Sequence, residues 1–405
     1  MTLFGAIWVA VLAWSFLKKD DEYILFMLLL SGVLQCNNVL VLGGSGIGPF
    51  VITSIVFTIR YFAHNFRKYR FSYRVYTILC LWVMLAIIIS LVANNANLNI
   101  YFINIAQIFS YILCFLTVQK IGYRIDDAVF RKMIVFIIDF VLVVGIIQYF
   151  IFIIGIPRHN FIATLLYNDT ISTSVAYYAT AQMRLFSTFM EPSYCAAFLV
   201  GVLFYVCYNY KKIKHPYARI CFIVCEIVLT ASTTAYVATA ICGMIFMLYG
   251  RQYKLLIKLV PIAVIGLIII FVSGRFDSVI SNKMESGSAV ERTMWNMRAL
   301  EAFLDSPLYG VGYKNSRASS LFLSIIAEQG LFGLSAFLSI CLYNLKILIK
   351  KNSSDIVKPA MWFFLGVLVC QLIACPDFDF CVLWMSMYII GISIGINSVF
   401  REKNL

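Results

Sequence analysis

Charged residues interrupt an apolar part of the chain where a helix is expected to begin. Residues 184–200 read RLFSTFMEPSYCAAFLV, so Arg184 and Glu191 stand seven residues apart just before an apolar run. Pro192 favours the first turn of a helix. Arginine can bind a phosphate through two parallel hydrogen bonds, and a carboxylate can accept a proton from a hydroxyl group. The pair predicts a site for an anionic substrate, unless Glu191 only favours a helix N-terminus through the helix dipole.

A second group of candidate residues lies further along the chain. In SGSAVERTMWNMRALEAFLDSPLYGVG, Ser288 precedes Glu291 at the spacing of a capping box. One side of the expected helix carries the apolar residues Val290, Met294, Met297, Leu300 and Leu304. We predict an amphipathic helix on the outer membrane surface, with Arg292 and Arg298 directed at a substrate. The alternative is that this helix only covers the bundle.

Composition assigns these residues to an integral membrane protein. Of the 405 residues, 62% are hydrophobic and 13% are charged, and the mean hydropathy is +0.90. Long apolar runs alternate with short polar links, which indicates an all-α polytopic helical bundle rather than a β-barrel. We expect residues 1–405 to form one membrane domain. About eleven long spans are expected, at 3–17, 23–42, 50–62, 75–93, 100–119, 133–156, 191–210, 255–273, 319–347, 359–376 and 380–399.

The basic residues indicate how the chain crosses the membrane. Of the 32 lysines and arginines, 24 fall in alternate loops, which the positive-inside rule makes cytoplasmic. The net charge of +13 is therefore a topology signal, and no nucleic acid is expected as a partner. Residues 219–251 have basic clusters at both ends, so we predict a hairpin of two short helices there. Two larger periplasmic loops remain, at 157–190 and 274–318.

The other eight basic residues all lie in these two loops, on the side where the rule disfavours them. They are Arg158, Arg184, Arg275, Lys283, Arg292, Arg298, Lys314 and Arg317. An anionic substrate such as a phosphate explains why they are kept. The alternative is pairing with acids of the same loop, which are Glu285, Glu291, Glu301 and Asp305.

Other acidic residues suggest different chemistry. Asp377 and Asp379 form an Asp-x-Asp motif like that of metal-dependent nucleotide-sugar transferases. The expected topology puts it outside, where nucleotide sugars are not supplied, so we interpret it as a polar loop. Asp139 and Glu226 lie within apolar runs, as acids on ion or proton paths do. A transporter of lipid-linked glycans is therefore an alternative function, although the sequence shows no repeated halves of the kind that such transporters have.

Several stretches together resemble a known family. RLFSTFMEPSYCAAFL, LTASTTAYVATAICG, ERTMWNMRALEAFLDSPLYGVGY and SSLFLSIIAEQGLFGLSAFL occur in the order typical of the bacterial O-antigen ligase and polymerase superfamily. The EPS tripeptide is most similar to the Wzy-type polymerases of O-antigen and capsule assembly. The similarity covers about residues 180 to 345.

The resemblance implies an inverting, metal-independent glycosyltransferase without a cofactor, which acts at the periplasmic face of the inner membrane. Donor and acceptor are oligosaccharide repeats on undecaprenyl diphosphate, and membrane lipid and a chain-length regulator protein are the implied partners. We predict Glu191, Arg184 and Arg292 as catalytic residues. The predicted substrate-binding residues are Tyr194, Arg298, Tyr313, Lys314, Arg317 and Glu328.

Two alternatives concern the reaction and one residue. A ligase that transfers finished glycan to lipid A core is the closest alternative to a polymerase. Many relatives, ligases especially, carry a histidine after the Gly-x-Gly turn, but this chain reads KNSRASS there. The role of that histidine cannot be carried over, and Glu191 is the better candidate base. Glu328 is either a partner of an arginine or an acid that packs between helices.

Overall fold

The computed structural model describes residues 2–42, 45–65, 74–94, 98–154, 183–249, 287–349 and 355–403. Within these ranges the chain is almost entirely helical, which confirms the predicted all-α membrane fold. The helices are α1 Leu3–Leu17, α2 Asp21–Ser31, α3 Pro49–Asn65, α4 Arg74–Ala93, α5 Leu98–Ile121, α6 Asp127–Ile153, α7 Pro192–Tyr208, α8 Pro216–Leu229, α9 Thr233–Tyr249, α10 Gly287–Asp305, α11 Leu321–Ile349, α12 Val357–Ile373 and α13 Cys381–Lys403. A 3-10 turn spans Gly122–Arg124, and strands β1 Leu40–Leu42 and β2 Ser45–Ile47 pair antiparallel.

The chain is a multi-pass membrane protein. In the described ranges, five helices are long and apolar enough to cross a membrane, namely α4, α5 with the following 3-10 turn, α6, α11 and α13. Shorter apolar helices are α1, α3, α7, α9 and α12. The predicted span 255–273 lies outside the described residues.

The prediction of one span over residues 23–42 is wrong. Helix α2 ends at Ser31, and Gly32 is its C-cap. Beyond it the main chain finds partners outside a helix, since Val39 N–H donates to Ile47 O (2.9 Å) and Gln35 N–H donates to Thr188 O (3.2 Å). Once these backbone groups are satisfied by other segments, the helical ladder is not needed to keep them paired.

Helix α7 runs through the middle of the bundle and packs most extensively against α12. Residues 195–207 of α7 are all buried. At the crossing, a Cβ on Gly366 would lie 2.8 Å from the Cα of Gly201, so both positions need glycine for the backbones to approach this closely. The buried body of α7 is therefore held close against α12, and Glu191 and Pro192 stand at its start. We call the end at which α7 begins the site end.

The hairpin predicted for residues 219–251 corresponds to helices α8 and α9. The two helices are joined by Thr230–Ser232, where Ala231 has a positive φ of 48°. Phe246 near the end of α9 packs on Phe204 near the end of α7, with ring centroids 5.6 Å apart. The turn between α8 and α9 accordingly lies at the site end.

An ion pair joins α8 to α6. The guanidinium of Arg219 donates from Nε and Nη2 to the two carboxylate oxygens of Asp139, each at 2.7 Å. Asp139 is thus not the isolated intramembrane acid that a transporter would suggest. Glu226 is different, because it is buried and neither of its carboxylate oxygens has a hydrogen-bond partner among the described residues.

The last part of the predicted loop 157–190 enters the bundle beside α6. Residues 185–189 are buried although their backbone is not helical. The side-chain oxygen of Gln148 accepts from the N–H groups of Phe186 (3.0 Å) and Ser187 (2.9 Å), and Ser187 Oγ donates to Val141 O (2.7 Å). Such non-helical backbone is tolerated in a membrane protein only where protein groups satisfy it. This re-entrant segment delivers Arg184 and Glu191 to the site end.

Helix α11 is interrupted at Gly330, where φ is 61° and ψ is −161°. The interruption frees backbone groups on both sides, and residues 307–312, which we call the return turn, bond to four of these groups. The bonds are Leu331 N to Pro307 O (2.8 Å), Phe332 N to Leu308 O (3.1 Å), Val311 N to Ala327 O (2.9 Å) and Gly312 N to Glu328 O (3.0 Å). The predicted span 319–347 is therefore two helical halves with the return turn docked between them.

Helix α10 turns its apolar side away from the bundle. Val290, Met294, Met297, Leu300 and Leu304 are all exposed. The face toward α11 carries small residues instead, and Ala299 packs with Ala318 and Ala327. Asn296 Oδ1 accepts from Ser319 N (2.9 Å) and Ser319 Oγ (2.8 Å). The contact of α10 with the bundle is therefore made by small and polar residues and not by the apolar stripe.

Replacing Gly330 should disrupt the docking of the return turn. A Cβ there would lie 2.4 Å from the carbonyl carbon of Leu308, and the backbone conformation is one that only glycine adopts easily. We expect Gly330→Ala to destabilise the protein by about 2–4 kcal/mol, from strain and overpacking together.

Thermal unfolding of the purified protein in lipid nanodiscs measures this effect. Gly243→Ala on α9 is the matched control, because nothing lies within 4 Å of a Cβ at that position. A Gly330→Ala variant as stable as the control would contradict the account of the interruption.

Candidate active site

A cavity of about 400 Å³ opens at the site end of the bundle. Its wall combines the start of α7, one face of α10, the loop before α11, the first half of α11 and the link between α12 and α13. The lining residues are Glu191, Ser193, Tyr194, Arg292, Trp295, Lys314, Ser316, Arg317, Ala318, Ser319, Ser324, Glu328, Ala374, Cys375, Pro376, Asp377 and Phe378. Hydroxyl groups, both signs of charge and aromatic rings are all present, which suits a polar ligand with an anionic group.

Glu191 lies in the wall at the start of α7. Its backbone is extended (φ −138°, ψ 150°), and its carbonyl accepts from Tyr194 N and Cys195 N, both at 3.1 Å. Its carboxylate forms no capping hydrogen bond and instead accepts from Ser193 Oγ at 3.1 Å. Both Glu191 and Ser193 line the cavity, and Glu191 also stands at the N-terminus of α7, where the helix dipole favours an acid.

Arg184 lies behind the cavity wall. Its Nε donates to Thr230 O (3.1 Å), at the turn between α8 and α9. Burial lowers the pKa of Arg184, the Glu191 carboxylate opposes this effect, and the positive charge of Arg292 adds to it. The three groups are thus close enough to interact electrostatically. Among the described residues, the two terminal nitrogens of Arg184 have no hydrogen bond.

Two exposed arginines form the outer rim of the cavity, which we call the mouth. Arg292 projects from α10 and Arg317 from the loop before α11. The guanidinium of Arg317 stacks on the ring of Trp295, 4.1 Å from its centroid. Such stacking leaves the edge of the guanidinium free to donate hydrogen bonds. Both arginines can therefore reach an anion that enters from outside.

Lys314 joins the loop before α11 to the link between α12 and α13. Its Nζ lies 2.7 Å from Asp379 Oδ1 and 3.5 Å from Asp377 Oδ1. Burial alone would lower the pKa of Lys314, but the two carboxylates outweigh burial and raise it. The hydroxyl of Tyr194 donates to the other oxygen of Asp377. These contacts fix Asp377 beside Lys314 and Tyr194 in the cavity wall.

Glu328 and Tyr313 lie at the inner side of the site. Glu328 is only 6% exposed and stands at the end of the first half of α11, directly before the interruption. Tyr313 is fully buried, its hydroxyl has no partner within the described part of the chain, and burial raises its pKa well above the ordinary value. Tyr313 does not line the cavity, whereas Glu328 does.

Most of the predicted site residues come together in the structure. Glu191, Tyr194, Arg292, Lys314, Arg317 and Glu328 line the cavity, and Arg184 lies behind it. Arg298 is exposed on α10 outside the lining, because the helix turns Arg292 and Trp295 inward instead.

Several side chains of the wall were not predicted as site residues, among them Asp377 and Trp295. The sequence indicates only a polar loop at Asp377 and gives no signal for Trp295. The usable signal for Asp377 was a pair of acids in a short link between two spans.

Residues 218–338 match a protein-family model described as O-antigen ligase. This match confirms the predicted resemblance to the O-antigen ligase and polymerase superfamily over that part of the chain. The matched segment holds Arg292, Lys314, Arg317 and Glu328 of the cavity, whereas Arg184 and Glu191 precede it. A search of curated proteins found no match. The family match supports an enzyme of the O-antigen ligase or polymerase type.

The contact between Lys314 and Asp379 should stabilise the fold around the cavity. We expect Asp379→Asn to cost about 1.5–3 kcal/mol, as loss of a charge-assisted hydrogen bond does. The folded-state pKa of Lys314 is raised, so the stabilisation is complete below the unfolded pKa of about 10.4 and is lost only as pH rises past the raised value. The loss should thus be constant between about pH 7 and about pH 9.

Thermal unfolding across this pH range tests the contribution. Asp305→Asn, an exposed acid at the end of α10, is the matched control and should change stability by less than about 0.5 kcal/mol. Equal stability of the two variants would show that the ion pair contributes nothing.

Proposed function

We propose that this protein is a polymerase that joins oligosaccharide repeats carried on undecaprenyl diphosphate into O-antigen or capsular polysaccharide. The transfer is inverting and needs no metal ion, and it takes place at the periplasmic face of the bacterial inner membrane. The observation that carries the proposal is the Glu191 carboxylate in a cavity wall with Arg292, within electrostatic reach of Arg184. The family match to O-antigen ligase supports the same class of reaction.

The arginines have the task of holding the diphosphate. A sugar diphosphate is already activated, so the main demand on the protein is to stabilise the charge that develops on the leaving group. Arg184 is oriented by Thr230 O and keeps its terminal nitrogens for a ligand, while Arg292 reaches in from α10. Guanidinium groups that approach from two sides can bind both phosphates.

Glu191 acts as the general base. An acceptor hydroxyl attacks the anomeric carbon from the side opposite the diphosphate, and the carbon–oxygen bond to the phosphate breaks with its electron pair moving to the diphosphate. The hydroxyl proton passes to a Glu191 carboxylate oxygen. The products are a glycoside with inverted configuration and undecaprenyl diphosphate. Ser193 Oγ, at 3.1 Å, orients the carboxylate for this step.

The topology supports a periplasmic site. Helix α7 begins at the site end and ends at Tyr208, directly before the basic residues Lys211, Lys212 and Lys214. By the positive-inside rule those lysines are cytoplasmic, so the opposite end of α7 faces the periplasm. Lipid-linked repeats are available to a polymerase on that side.

The choice of polymerase over ligase rests on the residues around the loop before α11. Residues 315–320 read NSRASS, and none of the residues that line the cavity is histidine. The histidine that many ligases carry after the Gly-x-Gly turn is thus replaced by serine and arginine side chains. Glu191 with the EPS tripeptide supplies the base in its place.

The arginines and the glutamate should fail in different ways when replaced. Arg184→Lys and Arg292→Lys keep the positive charge but lose the paired hydrogen bonds of the guanidinium group. We expect activity to fall about tenfold to hundredfold, because one charge-assisted hydrogen bond contributes about 1.5–3 kcal/mol. Glu191→Gln is nearly isosteric and should still bind lipid-linked substrate while turnover is lost. Substrate binding and polymer yield, measured side by side on purified variants, separate the two roles.

Arg298→Lys is the matched control on the same helix, because Arg298 is exposed outside the cavity. Its activity should stay within about twofold of the wild type. Normal polymer yield from Glu191→Gln would exclude Glu191 as the base.

The products distinguish polymerase from ligase. Purified protein with the lipid-linked repeat isolated from its host should yield a ladder of glycan lengths without any lipid A core. A single product that appears only when lipid A core is added would identify a ligase and overturn the proposal.

A further inference from the structure

Trp295 is an aromatic residue of the cavity wall to which the proposed reaction gives no task. It is half-buried and stands on α10 one turn after Arg292, and residues three apart on a helix are neighbours on one face. The guanidinium of Arg317 lies over its ring, 4.1 Å from the centroid. Both arginines of the mouth are therefore neighbours of Trp295, one along the helix and one by direct contact.

The two segments that carry this stack are held together independently of it. Asn296 directly follows Trp295, and its side-chain oxygen accepts hydrogen bonds from the backbone N–H (2.9 Å) and the hydroxyl (2.8 Å) of Ser319. Ser319 in turn stands two residues after Arg317. These bonds fix α10 against the loop before α11, so the loop should stay in place when the ring of Trp295 is removed.

Arg317 is held at the mouth by a ring and not by a carboxylate. Within the described ranges, neither Arg317 nor Arg292 forms an ion pair. An exposed arginine without a partner samples many rotamers, and binding a ligand costs the entropy of fixing one of them. The ring of Trp295 restricts Arg317 in advance while the N–H groups at the guanidinium edge stay available. The positive charge is thus oriented without being neutralised.

We propose that Trp295 is a positioning residue that holds Arg317 as a third guanidinium group for the diphosphate. Trp295 acts only through Arg317 and makes no contact of its own with the ligand that affinity depends on. This inference rests on the proposed function, which assigns the diphosphate to Arg184 and Arg292. It adds a third arginine and the residue that orients it.

Single variants measure the two contributions. The full-length protein in lipid nanodiscs is titrated with farnesyl diphosphate, a short prenyl diphosphate that serves as the probe. Arg317→Ala should weaken binding about tenfold, as loss of one charge-assisted hydrogen bond does. Trp295→Leu should weaken it about threefold to tenfold, because the stacking is lost. Trp295→Phe keeps a ring on which a guanidinium can stack and should stay within about twofold of the wild type.

The double variant tests how Trp295 acts. Trp295→Leu combined with Arg317→Ala should bind within about twofold of Arg317→Ala alone, because the ring then has nothing left to position. A residue that only packs the wall, or that contacts the ligand itself, would add its own loss. Trp14→Leu is the matched control, since this exposed tryptophan of α1 also has a cation over its ring, Lys18 Nζ at 4.7 Å, and its loss should not change affinity. Thermal unfolding establishes that each variant is folded.

Three outcomes would overturn the inference while the wild type binds the probe. They are losses that add in the double variant, an Arg317→Ala variant that binds like the wild type, and a Trp295→Leu variant that does so. The proposed function fails separately, by absence of the polymer ladder. A wild type that binds no farnesyl diphosphate would overturn both, whereas intact polymerisation with additive losses would overturn only this inference.

Discussion

Helix α11 cannot span the membrane as an uninterrupted helix, because Gly330 takes a backbone conformation that breaks its hydrogen-bond ladder. Inside a bilayer the freed N–H and C=O groups would each cost several kcal/mol if left unpaired. The return turn pairs with them on both sides of the break and is thereby fixed against α11. Lys314 and Arg317 follow the turn directly, and Glu328 precedes the break, so one set of backbone bonds positions three residues of the cavity.

The remaining wall depends on side-chain contacts that tie distant segments to this frame. Asn296 holds α10 to the loop before α11, and Lys314 holds the link between α12 and α13 through its two aspartates. The re-entrant segment is fixed separately, by Gln148 and by the carbonyl of Thr230. The cavity is thus assembled from five parts of the chain, which hydrogen bonds and ion pairs hold together. A rigid polar site of this kind suits electrostatic stabilisation of a leaving diphosphate.

Much of this architecture could be predicted from local patterns. Pro192 and the apolar run after it located α7 to within one or two residues, and α10 begins at Gly287, one residue before the serine of the predicted capping box. Basic residues in the two loops that the positive-inside rule predicts to be outside identified Arg184, Arg292, Lys314 and Arg317. Each of these signals lies within a short stretch, where sequence patterns are most informative.

What the sequence could not reveal depends on partners far away in the chain. The sequence of α11 is typical of one continuous apolar span, and the break at Gly330 is apparent only from its bonds with the return turn. Asp377 is held in the cavity wall by its contact with Lys314, which is 63 residues earlier in the chain. The buried segment 185–189 looked like an external loop because its acceptors, on Gln148 and Val141, belong to another helix. Polar groups paired over such distances leave no periodic signal in either segment.

A structure of the protein bound to the proposed substrate, an undecaprenyl-diphosphate-linked repeat, tests the central claim most directly. We predict that the diphosphate lies between the guanidinium groups of Arg184 and Arg292, with a sugar hydroxyl beside the Glu191 carboxylate and α11 still broken at Gly330. A diphosphate bound away from both arginines, or an α11 that closes into a continuous helix when substrate binds, would contradict the account.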